Sequence, residues 1–351
     1  MLFYVDLSKI FLLKKFKDYY SKSDLYIPPN FEKREWAIVP FENEIMCRHL
    51  SFTSDVELKA YILSNIPAHI YYSSAYYQNP SAEMDKKGWI GADLIFDIDA
   101  DHLPTKSLEY AKKEVLKLIK ILEDDFGIDK KNIEVVFSGH RGYHVHVYDE
   151  RFKELESAER REIVDYLMLN RLKCRESKQM KRVGKCIAKY LMNAIRDGRI
   201  YKILKEKIKD DSKLERTVSI LKSSIKDIMN GDFSAIPSQI FDKIFNLCKS
   251  RIAVHVDPVV TADIKRLIRL PNSLHGKTGL RVTIVPIDKL EQFDPLTDAV
   301  VFSDEMVKVR VKRKVKLRMK GEEFVIEPGK NVVPEYLAIF LICRGVAVYG
   351  H

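Results

Sequence analysis

The chain has 351 residues, 46% hydrophobic and 31% charged, with only 14 Gly and 13 Pro. That length allows one large or two modest domains with a true core, and the composition excludes collagen-like, low-complexity and disordered classes. Lysine and arginine number 60 against 50 aspartate and glutamate, a formal charge of +10 that permits nucleic-acid binding without diagnosing it.

The opening segment, MLFYVDLSKIFLLKKF, is interrupted by Asp6 and Lys9 and is followed by no small-residue cleavage site. It reads as an amphipathic first helix, not a signal peptide, and no apolar run reaches the ~18 residues of a membrane-spanning helix. Residues 93–100 (DLIFDIDA) and 133–137 (IEVVF) are rich in strand formers, with a helical stretch over Glu109–Phe126 between them. A turn at Asp129–Asn132 and a further strand through Tyr143–Tyr148 complete a pattern that predicts an α/β sheet with crossover packing. From 151 to 250 the sequence turns to Glu, Lys, Arg, Leu and Ile, broken only at GDFSAIPSQ (231–239), which predicts a block of helices. Strand-like sequence resumes over Ile252–Val260, at VTIVPI (282–287) and in a Val/Lys ribbon over 307–320. PEYLAIFLIC (334–343) predicts a core-packed tail helix. The expected organisation is one α/β domain built from residues 1–150 and 251–351, with a helical subdomain inserted over 151–250.

Cys47, Cys174, Cys186, Cys248 and Cys343 are scattered, without CxxC or Cys/His spacing. Neither a disulfide framework nor a zinc finger is legible, and a reducing cytoplasm is the expected location.

Asp97 and Asp99 alternate with Phe96 and Ile98, so in a strand the two carboxylates share one face. Like charges one residue pair apart repel unless a cation bridges them, and hard oxygens suit magnesium or manganese. The competing reading is a strand end whose aspartates face water or cap the next helix. Asp101, just beyond, reads as a loop or cap residue. Next, Ser138-Gly139-His140-Arg141-Gly142-Tyr143-His144 offers glycines that let a backbone approach an anion, with Ser, Arg and His as donors. A two-histidine metal site using His144 and His146, or a hairpin with incidental polar residues, are the alternatives. A third cluster runs from Asp257 through Asp263, read as a helix N-terminal residue. It continues to Arg266 and Arg269, read as one helix, and on to Ser273, His275, Lys277 and Thr278. Gly276-Lys277-Thr278 is like the tail of a phosphate-binding P-loop, but Pro271 stands where the first glycine belongs, so that motif fails. Asp257 is the better-placed ligand of the cluster.

Taken together and in this order, DLIFDID, SGHRGYH and D-x3-T…R-x-P-x-S-x-H-x-K-T-G resemble the catalytic small subunit of archaeo-eukaryotic DNA primase, in its archaeal form. Arg34-Glu35-Trp36-Ala37 resembles that family's N-terminal arginine motif. The resemblance covers roughly residues 25–148 and 250–290; the helical block carries no matching motif. It implies the α/β (α+β) primase catalytic fold, with mixed β-sheets flanked by helices. It also implies a metal-binding catalytic triad on Asp97, Asp99 and Asp257 holding two Mg2+ or Mn2+ ions. Nucleotide-phosphate contacts would fall on Ser138, Arg141 and His144, then on Arg269, His275 and Lys277, with Arg34 reaching the nucleotide from the opposite side. His140 stands where eukaryotic relatives carry another arginine. Many relatives also place a Cys/His zinc knuckle after the DxD strand; here Asp99 leads through Ala-Asp-His-Leu-Pro into a helix without a cysteine, so no structural zinc is expected.

In the ribbon, Lys308, Arg310, Lys312, Lys314, Lys316 and Arg318 occupy even positions, and Val309, Val311, Val315 and Leu317 odd ones. One wholly basic strand face is either a groove wall for a nucleic-acid backbone or a solvated edge that resists aggregation. Lys178, Lys181, Arg182, Lys185 and Lys189 share one helical face, read as solvated. The function expected is synthesis of short RNA, or DNA, primers de novo on single-stranded DNA from nucleoside triphosphates. The family resemblance adds a large primase subunit as heterodimer partner. A related polymerase of end-joining or damage bypass, and a non-catalytic nucleic-acid-binding protein, are the rivals.

Overall fold

The computed structural model describes residues 6–41, 44–170 and 177–350; Cys174 and the first five residues of the opening segment lie outside them. The described chain forms two compact units. One is made from the residues up to Val115, from Asp129–Arg160 and from Asp257 onward, the other from Leu116–Ile128 and Arg161–Val256.

The first unit opens with α1 (Leu7–Lys22), started by Asp6, whose carboxylate accepts from the Ser8 and Lys9 amides and satisfies two of the helix's orphan donors. Phe11, Leu12, Phe16 and Tyr20 are its buried stripe. Then come β1 (Trp36–Pro40), β2 (Cys47–Leu50), α2 (Asp55–Asn65), β3 (Pro67–Ser73), β4 (Ala75–Tyr77), β5 (Trp89–Ala92), β6 (Leu94–Asp99), α3 (Leu108–Asp124), β7 (Ile133–Phe137) and β8 (Gly142–Val147). Val115 and Leu116, on either side of the seam between units, both lie within α3.

The second unit contains most of α4 (Ser157–Met168), then α5 (Lys178–Arg196), α6 (Arg199–Lys205), α7 (Asp211–Ser223), α8 (Ile225–Met229) and α9 (Ser238–Ile252). Val183, Ile187, Leu191 and Ala194 recur at helical spacing along α5 and pack with Leu214, Val218, Ile240 and Ile244 in one apolar core.

The chain then returns to the first unit with α10 (Pro258–Ala262), β9 (Leu267–Arg269), β10 (Thr283–Val285), α11 (Pro295–Asp298), β11 (Met306–Val311), β12 (Val315–Met319), β13 (Glu322–Ile326), β14 (Gly329–Pro334), α12 (Glu335–Cys343) and β15 (Ala347–Tyr349).

Two four-stranded sheets, ordered β2-β1-β3-β9 and β10-β7-β8-β6, carry the residues of interest. α and β structure are combined as expected, but every described strand pairing is antiparallel, not mixed. The crossover is present in a split form. α3 joins β6 to β7, yet β8 lies between them and pairs with both. The hairpin β7–β8 thus inserts a strand into what would otherwise be a parallel pair.

Three local expectations change. Ile252–Val260 is not a strand: Ile252 ends α9, and Asp257 caps α10 with Pro258 at its first turn. Cap and proline together override the strand preference of Val259, Val260 and Thr261. Arg266 and Arg269 are not on a helix; the backbone turns at Asp263–Arg266, and Arg269 ends β9, paired with Tyr71 of β3. The basic ribbon is broken into β11 and β12, which belong to different sheets. Within each strand the even-numbered cations are exposed, as alternation requires, but Lys314 pairs with Glu327 and Arg318 lies opposite Glu323. The tail helix α12 is almost wholly buried.

Arg34 is not brought to a cleft. Its side chain is 0% exposed and pairs at 2.7 Å with Asp93, itself 1% exposed, immediately before β6. The guanidinium also donates to Pro29 O (2.8 Å), Ser73 O (2.7 Å) and Tyr76 Oη (2.8 Å), and it stacks over the Tyr76 ring at 4.3 Å. Tyr76 completes the cage by donating to the other Asp93 oxygen at 2.6 Å. Removing the cation would strand a buried carboxylate, so Arg34→Ala is expected to destabilise the fold by roughly 3–5 kcal/mol. Arg34→Lys should rescue little, because one ammonium cannot reach all four acceptors. Chemical denaturation checks this; a normally stable Arg34→Ala protein with a raised nucleotide KM would restore the nucleotide-contact role.

Candidate active-site cleft

On β6, Leu94, Ile95, Phe96 and Ile98 are buried while Asp97 and Asp99 are only partly so. Both carboxylates line a cleft of about 460 Å3. β6 pairs with β8 so that Asp97 lies opposite His144 and Asp99 opposite Gly142. A Cβ at position 142 would come within 2.6 Å of Ile98 O and 3.0 Å of the Asp99 Cα, so only glycine lets the two strands approach here.

The same hairpin presents Ser138, His140 and Arg141 to the cleft, closed by the Ser138 amide donating to Gly142 O at 3.0 Å. Gly139 has φ +80°, and a Cβ there would meet His275 Cβ at 2.7 Å. Its left-handed backbone and missing side chain therefore make room for the third segment. That segment is tied on by the Thr278 hydroxyl, which donates to Gly139 O at 2.6 Å. His140 stacks on His275 with ring centroids 5.0 Å apart.

Of the residues singled out in the sequence, Asp97, Asp99, Ser138, Arg141, His144, Arg269 and His275 are brought to this one cleft. Asp257 adjoins it: its amide donates to Asp97 O at 2.9 Å, and its charge helps to raise the Asp97 pKa. Lys277 is exposed nearby, its amide donating to His275 Nδ1 at 3.2 Å. Arg34 does not line the cleft. His146 does not either; its buried ring shares Nδ1 with Tyr72 Oη (3.4 Å) and Tyr148 Oη (3.2 Å).

The structure adds residues that no motif marked. Arg48, Tyr71 and Lys265 line the cleft. Arg48 is held by the fully buried Glu35 through bonds of 3.0 and 3.3 Å. His69 accepts from Arg269 Nη1 at 2.6 Å and from the Gly276 amide at 3.3 Å, with its ring 4.7 Å from that of His275. Its Nδ1 is therefore the unprotonated nitrogen. His69, Tyr71 and Ser73 fall on one face of β3, and that alternation is the only signal sequence could have offered.

Electrostatically the cleft is divided. Burial, then the charges of Asp99 and Asp257, push the Asp97 carboxyl up to about 6. The imidazoles move the other way. Burial and then Arg269 lower His69 to about 3 and His144 to about 4, and hold His275 far below its usual range. Arg48, Arg141, Lys265, Arg266 and Arg269 supply the fixed positive charge. Arg141 is paired with Asp101 at 2.8 Å in an exposed contact that an incoming anion could displace.

The donor set suits a hard divalent ion: a cation would relieve the burial and the neighbouring carboxylate charges that raise the Asp97 pKa. It is not a closed cage. Among the described residues, no three His, Cys, Asp or Glu side chains are gathered closely enough to hold a metal. Two of the carboxylates are turned to backbone amides: Asp99 Oδ1 accepts from Asp101 (2.8 Å) and Asp257 Oδ1 from Val259 (2.8 Å). Each keeps a second oxygen.

Residues 96–287 match the DNA primase small subunit family, a family in which divalent-metal dependence is general. DNA primase small subunit PriS of Archaeoglobus fulgidus is 46% identical, the alignment covering 98% of this chain and 99% of that one. PriS of Methanococcoides burtonii is 40% identical, covering 98% and 99%. Among solved structures, the polymerase domain of Mycobacterium tuberculosis Ligase D in complex with DNA is matched over 81% of this chain and 83% of that chain, at 12% identity and a TM-score of 0.40.

Because the Asp97 pKa is raised in the fold, its ionisation opposes folding: the penalty is absent below about 4, grows through about 6 and is complete above it. In chelator-treated protein at pH 7.5, Asp97→Asn is expected to raise stability, by on the order of 1–3 kcal/mol. The gain should vanish as the pH approaches 4. Thermal melts across pH check this, and a destabilised Asp97→Asn apoprotein at pH 7.5 would overturn the crowding.

Proposed function

The chain belongs to the DNA primase small-subunit family, and from that premise we propose that its cleft joins nucleoside triphosphates on a single-stranded DNA template. The activity of a DNA primase is nucleotidyl transfer, an in-line phosphoryl displacement. The observation that carries the proposal is the meeting of Asp97 and Asp99 with Ser138, Arg141, His144, Arg269 and His275 in one cleft, drawn from three separate stretches of chain.

In this reading Asp97, Asp99 and Asp257 hold two divalent cations, Mg2+ or Mn2+. Such ions, when bound, supply Lewis acidity to the attacking 3′-hydroxyl and to the departing pyrophosphate. The protein's own groups do the rest. Arg141 exchanges its exposed partner Asp101 for a phosphate oxygen, and Ser138 donates beside it. Arg269, held by His69, neutralises charge on the triphosphate together with Lys277. His144 and His275, uncharged at neutral pH, contribute directional hydrogen bonds instead of charge. Asp97, ionised above about 6, keeps the acidic side of the cleft repellent to phosphate unless a cation intervenes.

Lys308, Arg310, Lys312 and Lys316 are exposed, and they support a backbone-contact surface on β11, the following turn and β12. The lesser charge at Lys314 and Arg318, which meet glutamates, narrows that surface. The first unit is the catalytic domain in this reading, and the second is an inserted helical subdomain. The large primase subunit is the expected partner, and the cytoplasm the expected location.

The test is primer synthesis on an unprimed circular single strand with labelled ribo- or deoxynucleotides and Mg2+ or Mn2+. The wild-type chain should start strands de novo, whereas Asp99→Ala and Asp257→Asn, the asparagine keeping the cap on α10, should lose at least 10^3-fold in rate while melting near the wild-type temperature. Mn2+ should raise the wild-type melting temperature and leave that of Asp99→Ala unmoved. Extension of existing primers without initiation would make this a repair-type polymerase, and full activity in either variant would remove the triad.

A further inference from the structure

The second unit carries a groove of about 470 Å3 lined by seven basic side chains and only two carboxylates, Asp124 and Asp125. The carboxylates are already engaged. Asp124 pairs with Lys120 at 3.3 Å, while Asp125 binds Arg182 Nη1 and accepts from Tyr166 Oη at 2.9 Å. Lys181, Lys185 and Arg251 are exposed and have no ion-pair partner among the described residues.

The uncompensated charge makes this more than a solvated face. Helix α5 begins at Lys178, has no acidic residue in its first turn, and carries Lys181 and Arg182 just beyond it. A helix N-terminus bears partial positive charge, so the unpaired Lys181 is held against the macrodipole and an incoming anion would offset both. Arg182 is engaged, its Nη1 on Asp125 and its guanidinium 5.5 Å over the Tyr166 ring, which leaves Lys181, Lys185 and Arg251 as the charges open to a ligand.

The cationic surface is also longer than one anion. Lys181, Lys185 and Lys189 step along α5 at i, i+4 and i+8, a run of about 12 Å. Arg251 lines both this groove and a second cavity of about 370 Å3, where it meets Lys189, Arg199 and Tyr190 and no carboxylate. A chain of phosphates matches such a track. The ring of Tyr190 and the apolar stems of the lysines beside Ile121 and Ile252 suit exposed bases and sugars, which an unpaired strand offers and a duplex hides.

We propose that this track on the helical unit binds the phosphodiester backbone of single-stranded DNA, a second contact region separate from the cleft. The choice of DNA as the polyanion rests on the priming function proposed above. The test is the full chain with Lys181→Gln, Lys185→Gln and Arg251→Gln combined, compared with wild type for binding to an oligodeoxythymidylate over a salt series. Three lost phosphate contacts should make the slope of log affinity against log salt shallower by about 2, so that between about 50 and 200 mM salt the variant loses roughly fifteenfold less affinity than wild type. The melting temperature should be unchanged. In primer synthesis the template concentration for half-maximal rate should rise while kcat at saturating template holds. An unchanged slope overturns the proposal, as does a loss confined to duplex DNA. Normal DNA binding with weakened association of the large primase subunit would also overturn it, assigning the track to an acidic protein surface. A wild-type chain that binds DNA with the steeper slope yet makes no primers would sink the priming function and leave the track standing.

Discussion

The hydrogen bond from the Asp257 amide to the Asp97 carbonyl fixes the character of the cleft. It ties the start of α10 to the middle of β6 through the backbone, so the two acidic residues cannot drift apart without breaking strand or helix cap. Burial, then the charges of Asp99 and Asp257, raise the Asp97 pKa, and a counter-cation would relieve that repulsion. Asp257 is doubly committed because its Oδ1 caps the helix that Pro258 starts. The acidic side of the cleft is therefore built from rigid backbone, and only the outer carboxylate oxygens are free to adjust.

The supports behind it are buried charges of opposite sign in adjacent residues. Arg34 turns inward to Asp93, fixing the residue that leads into β6. Glu35 turns to Arg48 and sets that guanidinium on the cleft wall, with the His49 amide bound at 3.2 Å and Lys87 Nζ 3.6 Å away. Burying an ion pair contributes little net stability, since desolvation offsets most of the attraction. It does penalise every alternative packing that would leave either charge alone. A motif that resembles a nucleotide contact thus acts one layer behind the surface, orienting the strand that bears Asp97 and Asp99.

Strand alternation made Asp97 and Asp99 legible from sequence, because the period of two is local and survives any tertiary arrangement. The glycines of SGHRG were legible as a close approach, though not what they approach: Gly142 admits β6 and Gly139 admits His275. Asp257 was legible as a ligand candidate but not as a cap, because the β-branched run after it masks a helix that Pro258 initiates. The burial of Arg34 could not be read, since Asp93, Tyr76 and Ser73 converge on it only through strand pairing. Arg48, Tyr71 and His69 left no motif for the same reason. The basic ribbon was legible in its alternation but not in its break at Lys312–Lys314, where the chain leaves one sheet for another. A seam that falls inside α3 leaves no trace in composition at all.

The histidines settle which groups can respond to pH. His69, His144 and His275 would each ordinarily gain charge near neutrality, yet burial beside Arg269 keeps all three neutral down to about pH 4 or below. The fixed positive charge of the cleft comes from arginine and lysine, which do not titrate in that range. Sensitivity to mild acid falls to Asp97, whose carboxyl is pushed up to about 6. Had the imidazoles been charged, they would have repelled Arg269 and weakened the His69 acceptor that holds it. Neutral rings let one cleft keep acidic and basic walls together, the acidic wall on β6 and the basic one on Arg48, Arg141, Lys265, Arg266 and Arg269.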